Sequence, residues 1–126
     1  MKKQLFLTLL AIISTAGSIM AQQEVEQKPH VRAKETYFKL KADLNLVGEQ
    51  ESKVYMIFED FYTTEMKIKE EMRNAGNTDA ERFADNMQRT AVVRDGKLKA
   101  ILTEVQLNKW LNEIEPSMRT SKKTIN

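Results

Sequence analysis

The stretch Ile101-Leu102-Thr103-Glu104-Val105-Gln106-Leu107 joins two amphipathic segments and predicts where one helix ends and the next begins. Thr103 and Gln106 have the S/T-x-x-Q spacing of a capping box. In that motif the hydroxyl accepts from the backbone N–H of the third helical residue, and the glutamine amide reaches back to the backbone N–H of the cap. Leu102 and Leu107 occupy the two positions of a hydrophobic staple, which fixes the angle of entry into the helix. The stretch therefore predicts a defined joint between two helices.

A weaker copy of this pattern stands at Leu46-Val47-Gly48-Glu49-Gln50. Val47 takes the place of the threonine and has no hydroxyl with which to cap a helix. Loss of such a cap costs about 1 kcal/mol. We therefore expect the first joint to be looser than the second.

The first 21 residues have the pattern of a secretory signal peptide. Lys2 and Lys3 precede an apolar run over residues 5–13, and small residues lead to Ala21, after which we expect cleavage. The run is shorter than the ~20 residues of a membrane-spanning helix. The absence of cysteine leaves no lipid-anchoring residue and no disulfide framework. These features predict a protein that is soluble in the periplasm or outside the cell.

The remaining chain is long enough for one domain. Removing 21 of the 126 residues leaves 105, enough for one small core. The net charge of +2 includes Lys2 and Lys3, so the processed chain carries 18 basic and 18 acidic residues. A neutral balance argues against nucleic acid as a partner. We expect a disordered polar leader at 22–30, a helical domain at 31–115 and a loose polar tail at 116–126.

Apolar spacings of three and four predict four helices. The first covers about 31–43 and the second about 48–75, where Gly76 stops it. Thr78-Asp79-Ala80-Glu81 has the capping-box pattern and opens the third. The fourth follows the joint at Thr103 and ends at Pro116, which cannot continue it. One local signal disagrees, because Asp95-Gly96 is typical of a β-hairpin turn. Helix is preferred, since the 3.6-residue period runs unbroken across Gly96.

The second helix carries an unusually wide apolar side. Its apolar residues cover nearly half of the circumference, whereas a surface helix needs a stripe of only ~100°. The excess is covered by the chain's own helices, by a second subunit or by an unfolded client, and these alternatives stay open. The candidate client-binding residues are Tyr55, Phe58, Phe61, Tyr62 and Met66.

Arg94 falls near the middle of the apolar face of the third helix. If the second and third helices fold back near Gly76, Arg94 lies level with Glu59 and Asp60, either of which could neutralise it. An unpaired buried guanidinium would be too costly. The alternative is that its long stem carries the charge out to water.

Residues for catalysis and metal binding are sparse. The chain has no cysteine and a single histidine, His30, so no Ser/His/Asp or Cys/His arrangement can form. Met66 and Met72 could offer sulfur to copper(I), but their six-residue spacing does not place them on adjacent turns of one face. We therefore expect no enzyme activity, no cofactor and no metal site.

The two joints resemble a known family. Leu102-Thr103-x-x-Gln106 matches the LTxxQ motif, and Leu44-Asn45-Leu46-x-x-Glu49-Gln50 is similar to the family's first copy. The residues that lead into the second copy, from Arg94 to Leu102, also look like those of the family. The chain therefore resembles the LTxxQ-motif (Spy/CpxP-like) envelope-stress proteins over about residues 31–115. The motif residues are Leu46, Gln50, Arg94, Leu102, Thr103 and Gln106.

This resemblance implies an all-α, cradle-like protein of about four helices with a long central hairpin, usually a homodimer. It implies a periplasmic chaperone that holds unfolded or misfolded envelope proteins without ATP. The alternatives are a regulatory binding protein for a membrane stress sensor, or a periplasmic metal sensor or buffer.

Overall fold

The computed structural model describes residues 27–124. Within them four helices follow one another: α1 is Pro29–Leu44, α2 is Glu49–Asn74, α3 is Ala80–Ile101, and α4 comprises Glu104–Lys109, Trp110–Ile114 and Glu115–Thr124. These residues contain no strand. The predicted all-α fold with a long central hairpin, α2–α3, is confirmed.

Helix α1 lies antiparallel to the first half of α2. Arg32 pairs with Glu65 at 3.0 Å, and Lys41, nine residues later, pairs with Glu51 at 3.0 Å. The start of α1 lies near residues 62–69 of α2, since Pro29 and Arg32 line a small cavity together with residues of that stretch. The last turn of α2 extends beyond the start of α1.

Helix α1 begins earlier than predicted. Pro29 stands in its first turn, where its missing N–H has no helical partner to lose. Residues 29 and 30 therefore belong to the helix and not to the leader. The predicted signal peptide and residues 22–26 of the predicted leader lie outside the described residues.

The turn between α2 and α3 is closed by glycine and aspartate. Gly76 has φ +64°, and the N–H of Asn77 donates to the carbonyl of Met72 at 2.8 Å, which is the Schellman pattern of a helix end. Asp79 then caps α3, because its side chain accepts from the backbone N–H groups of Glu81 and Arg82. The capping pattern that begins at Thr78 was therefore shifted by one residue.

Helix α4 packs its aromatic residue into the groove between α2 and α3. The ring of Trp110 lies 5.5 Å from the ring of Phe58, and its indole N–H donates to Asp95 at 3.0 Å. The core is shared by all four helices and the first joint, with these buried apolar residues: Ala33, Leu40, Leu44, Leu46, Val54, Ile57, Phe58, Tyr62, Leu98, Trp110 and Ile114.

The prediction that Pro116 ends the last helix, leaving a loose tail, is wrong. The turn Trp110–Ile114 is π-helical, and the N–H of Glu115 donates to the carbonyl of Trp110, five residues back. Such a wide turn inserts one residue into the helix. Pro116 then stands in the first turn of Glu115–Thr124, where proline is tolerated. The helix therefore continues past the proline.

Candidate functional site

The glutamines of the two motifs bind each other across the molecule. Gln50 Nε2 donates to Gln106 Oε1 at 2.8 Å, and Gln106 Nε2 donates to Gln50 Oε1 at 3.2 Å. Each remaining amide proton goes to the carbonyl at the end of the other motif's preceding helix, from Gln50 to Ile101 and from Gln106 to Leu44, both at 3.0 Å. The two motifs, 56 residues apart, thus form one joint.

Both glutamine oxygens also cap their own helix. Gln106 Oε1 accepts from the N–H of Thr103 at 2.9 Å, and Gln50 Oε1 accepts from the N–H of Val47 at 3.2 Å. A primary amide offers two donors and two acceptor lone pairs, so both side chains use their full capacity. We call Gln50 and Gln106 the glutamine pair.

The two copies differ in how the helix starts. The predicted capping box at Thr103 is confirmed, since the Thr103 hydroxyl accepts from the N–H of Gln106 while the Gln106 side chain binds back. In the first copy the helix begins after Gly48, which has φ +54° and ψ −126° and no side-chain cap. Such a conformation favours glycine. The first motif therefore has only one of the two hydrogen bonds of a capping box, the one that the Gln50 side chain accepts from the N–H of Val47.

A groove of about 360 Å³ opens beside the core. Its floor is aromatic, from α2 and α4; one wall is the first half of α3, and the other is the last part of α4. The lining side chains that carry the argument are Phe61, Tyr62, Ala84, Met87, Trp110 and Met118. The groove lies between α2, α3 and α4, and α1 contributes no lining residue to it. We call it the apolar groove.

The five candidate client-binding residues have different positions. Phe58 and Tyr62 are core residues, with 1% and 5% of their surface exposed, and they form part of the floor of the apolar groove. Tyr55 and Phe61 are half-buried, and only Phe61 lines the groove. Met66 is 40% exposed and lies beside a small cavity at the start of α1. The exposed apolar surface of α2 is therefore narrower than its apolar side.

Tyr62 is held at the floor by polar contacts. Its hydroxyl lies 2.7 Å from the Thr36 hydroxyl, and the Arg32 guanidinium lies 4.1 Å from its ring centroid. Burial raises the pKa of Tyr62, since the phenolate would lose its hydration there. Burial therefore disfavours the phenolate, and the contacts with Thr36 and Arg32 hold the ring in place.

Arg94 is buried, with 8% of its surface exposed, but Glu59 and Asp60 are not its partners. Its Nε lies 3.0 Å from Asp95 Oδ1, and its guanidinium lies 3.8 Å from Glu115 of α4. Lys97 takes Asp60 instead, at 3.6 Å. Asp95, the next residue of α3, is therefore the nearest counter-charge, and Glu115 of α4 is a second and more distant one.

Aromatic rings complete the surroundings of Arg94. The guanidinium carbon lies 4.6 Å from the centroid of Phe61 and 5.1 Å from that of Trp110, within the range of cation–π attraction. Asp95 Oδ1 accepts from both Arg94 and Trp110. The charged cluster therefore fixes α4 against α3 at the edge of the apolar groove.

The sequence interpretation missed the groove wall supplied by α4. Met118 lay in the segment predicted to be a tail, although it packs against the core cluster. The signal was present, since Trp110, Ile114 and Met118 follow one another at intervals of four. The proline between them concealed it.

The described residues contain neither a metal-binding group nor a membrane-spanning helix. Among residues 27–124 no three His, Cys, Asp or Glu side chains gather as a metal-binding group. None of the helices in this part of the chain combines the length and apolar character needed to cross a bilayer. The arrangement can bind apolar groups and hold them beside paired charges.

Comparison with known proteins gives no relative: no family model, no curated protein and no solved structure matches this chain.

Proposed function

We propose that this chain is an exported, ATP-independent chaperone of the holdase type, which binds unfolded polypeptides in the cell envelope during stress. Membership of the LTxxQ-motif (Spy/CpxP-like) family is part of the proposal. The observation that carries it is the apolar groove, which the described residues leave open.

The size of the groove suits apolar side chains of a client. A cavity of roughly 150 Å³ can hold a benzene molecule, so a groove of about 360 Å³ has room for two large side chains. Phe61, Met87 and Met118 line it and are only half-buried. Methionine adapts its shape to many partners, which suits clients of varied sequence.

Charged side chains at the rim of the apolar groove would keep a bound client in solution. Arg119 pairs with Glu115 at 2.9 Å, and Arg119 is 69% exposed. A client held between such groups would remain soluble. Exposed apolar patches bordered by polar residues often mark interaction sites.

The glutamine pair supports the family part of the proposal. The two motifs on which the resemblance depends form a single joint, and that joint sets where α4 starts. Because α4 supplies one wall of the groove, the motifs and the groove belong to one structural unit.

The proposal is tested by light scattering of a denatured model protein diluted into buffer with the processed chain, residues 22–126. Near-stoichiometric amounts should suppress aggregation. Ala84→Glu places a charge in the groove and should remove at least half of the suppression. Ala100→Glu is the matched control, since Ala100 is exposed on the same helix and does not line the groove.

Equal suppression by Ala84→Glu and Ala100→Glu would show that the groove is not the binding site. No suppression by the parent chain, together with specific retention of one membrane sensor, would favour a regulatory binding protein instead.

A further inference from the structure

Methionine supplies all of the sulfur in this chain, because cysteine is absent. Oxidation of methionine to its sulfoxide is a common chemical change in proteins, and it converts an apolar side chain into a polar one. Removal of residues 1–21 takes away two of the seven methionines and leaves Met56, Met66, Met72, Met87 and Met118. Met87 and Met118 line the apolar groove, whereas the other three do not. We call Met87 and Met118 the groove methionines.

The groove methionines stand on the two walls of the apolar groove. Met87 belongs to the wall formed by α3, and Met118 belongs to the wall formed by the last part of α4. Both side chains are half-buried, so each contributes to the apolar lining and still has contact with solvent. Met118 also packs against the core cluster. A small oxidant dissolved in water therefore has access to both side chains.

The floor between these walls is built from aromatic rings, and its polar atoms are already bound. The Tyr62 hydroxyl lies 2.7 Å from the Thr36 hydroxyl, and the indole N–H of Trp110 donates to Asp95 at 3.0 Å. An oxygen atom added to a groove methionine would therefore face either the rings or solvent.

We propose that oxidation of the groove methionines to methionine sulfoxide weakens the binding of clients in the apolar groove. The oxidant is a hydroperoxide such as hydrogen peroxide. The methionine sulfur attacks one oxygen atom of the peroxide, so that an S–O bond forms while the O–O bond breaks. Sulfur gives up two electrons, and the leaving hydroxide takes the proton of the transferred oxygen and departs as water. The inference rests on the proposed function, because it regulates the same groove.

The expected direction follows from desolvation of the sulfoxide. In the free groove the sulfoxide oxygen can accept hydrogen bonds from solvent, and an apolar client side chain that covers it removes those bonds without replacing them. Burial of a polar group without a hydrogen bond is unfavourable. An oxidised groove therefore binds apolar side chains more weakly. Methionine sulfoxide reductases reverse the reaction, so the oxidation acts as a switch.

The methionines outside the groove provide an internal control. Met56 is 62% exposed and Met66 is 40% exposed, so both are open to the same oxidant. Their oxidation should leave the groove unchanged. Loss of binding should therefore follow the state of the groove methionines and not the total number of sulfoxides.

Two variants of the processed chain, residues 22–126, separate these sites. The first combines Met87→Leu with Met118→Leu, and the second combines Met56→Leu, Met66→Leu and Met72→Leu. Exchange of methionine for leucine keeps the apolar character and is usually well tolerated. The parent and both variants are treated with hydrogen peroxide, which is then removed with catalase. Mass spectrometry of peptides gives the extent of oxidation at each position, and circular dichroism gives the helix content before and after treatment.

Binding in the groove is measured with the apolar fluorescent dye anilinonaphthalene sulfonate. The chain contains a single tryptophan, Trp110, which lines the groove, so energy transfer from Trp110 reports dye that is bound there. Oxidation should weaken dye binding by roughly fivefold or more in the parent and in the second variant, because both keep the groove methionines. The first variant should keep its affinity. Treatment of the oxidised parent with reductases for both sulfoxide epimers should restore binding.

An equal loss of dye binding in the first variant, unchanged binding in the oxidised parent, or a fall in its helix content would overturn the inference. The absence of sulfoxide at positions 87 and 118 would do the same. The aggregation assay separates this result from the proposed function, which is tested by the untreated chain alone. Equal suppression by the untreated and the oxidised parent would refute regulation by oxidation and leave the proposed function intact. No suppression by the untreated parent would refute the proposed function, whatever the dye shows.

Discussion

Replacing Gln106 by alanine would remove four hydrogen bonds from the joint between the motifs. The Gln106 amide accepts from the N–H of Thr103 and from Gln50, and donates to the carbonyl of Leu44 and back to Gln50. An intramolecular hydrogen bond contributes about 1 kcal/mol net, and the half-buried position lets water replace part of this loss. We expect the free energy of unfolding to fall by about 3 kcal/mol.

Gln50→Ala should cost a similar amount, since Gln50 also makes four bonds. Two bonds are common to both residues, so the double variant loses six bonds while the single variants together lose eight. The double variant should therefore lose about 2 kcal/mol less free energy of unfolding than the two single variants lose together. Such a coupling is typical of residues in direct contact.

Urea denaturation followed by circular dichroism measures all three variants. Gln88→Ala is the control, because Gln88 is an exposed glutamine of α3, and its effect should stay within about 0.5 kcal/mol. Single costs below about 1 kcal/mol, or costs that add without coupling, would refute the inference that the glutamine pair joins the two motifs.

Three further predictions concern local features of the fold. Gly96→Ala should raise the free energy of unfolding by about 1 kcal/mol, because Gly96 is helical with open space around its missing Cβ; a loss in urea denaturation would mean that the position is not helical. Thr103→Ala should lower stability by about 1 kcal/mol through the lost cap, and an unchanged melting curve would show that Thr103 is not the cap. The folded state raises the pKa of Tyr62, so the stability it contributes is fully present below the unfolded pKa of about 10 and is lost as pH rises through the folded pKa. Unfolding free energies across about pH 9 to 11 should therefore fall less steeply for Tyr62→Phe combined with Thr36→Val than for the parent, and equal slopes would contradict a buried phenol.

Local signals in the sequence predicted the helices well. The capping box at Thr103 formed because both of its residues act within one turn. The helix across Gly96 formed because the apolar period on both sides is continuous, and one glycine costs only about 1 kcal/mol. These features depend on neighbours a few residues away.

Contacts between distant helices could not be predicted in the same way. Glu115, the second carboxylate beside Arg94, belongs to a segment that the sequence interpretation placed just before a helix end. The continuation of α4 past Pro116 requires a π-helical turn, and the indole N–H of Trp110, in that turn, is bound to Asp95 of α3. The rule that proline ends a helix considers only the local sequence, so it does not take account of a contact with another helix.

The apolar side of α2 shows the same limit for the candidate site. The periodicity of the sequence predicted how wide this apolar side is and which residues belong to it. It did not predict which helix covers each of these residues. Phe58 packs against Trp110 of α4 and Tyr62 contacts Thr36 of α1, whereas Phe61 and Met66 stay partly exposed. The groove could be located only when the position of α4 was known, because α4 supplies one of its walls.

The sequence separation within the glutamine pair has a kinetic consequence. Closing a loop of 56 residues costs about 3.5 kcal/mol of chain entropy from its length alone, which is comparable to what the joint contributes. Hairpins between successive helices close over shorter distances and can assemble first. We therefore expect the glutamine pair to form late on the folding route, so that it lengthens the lifetime of the native state and has little influence on how fast that state is reached.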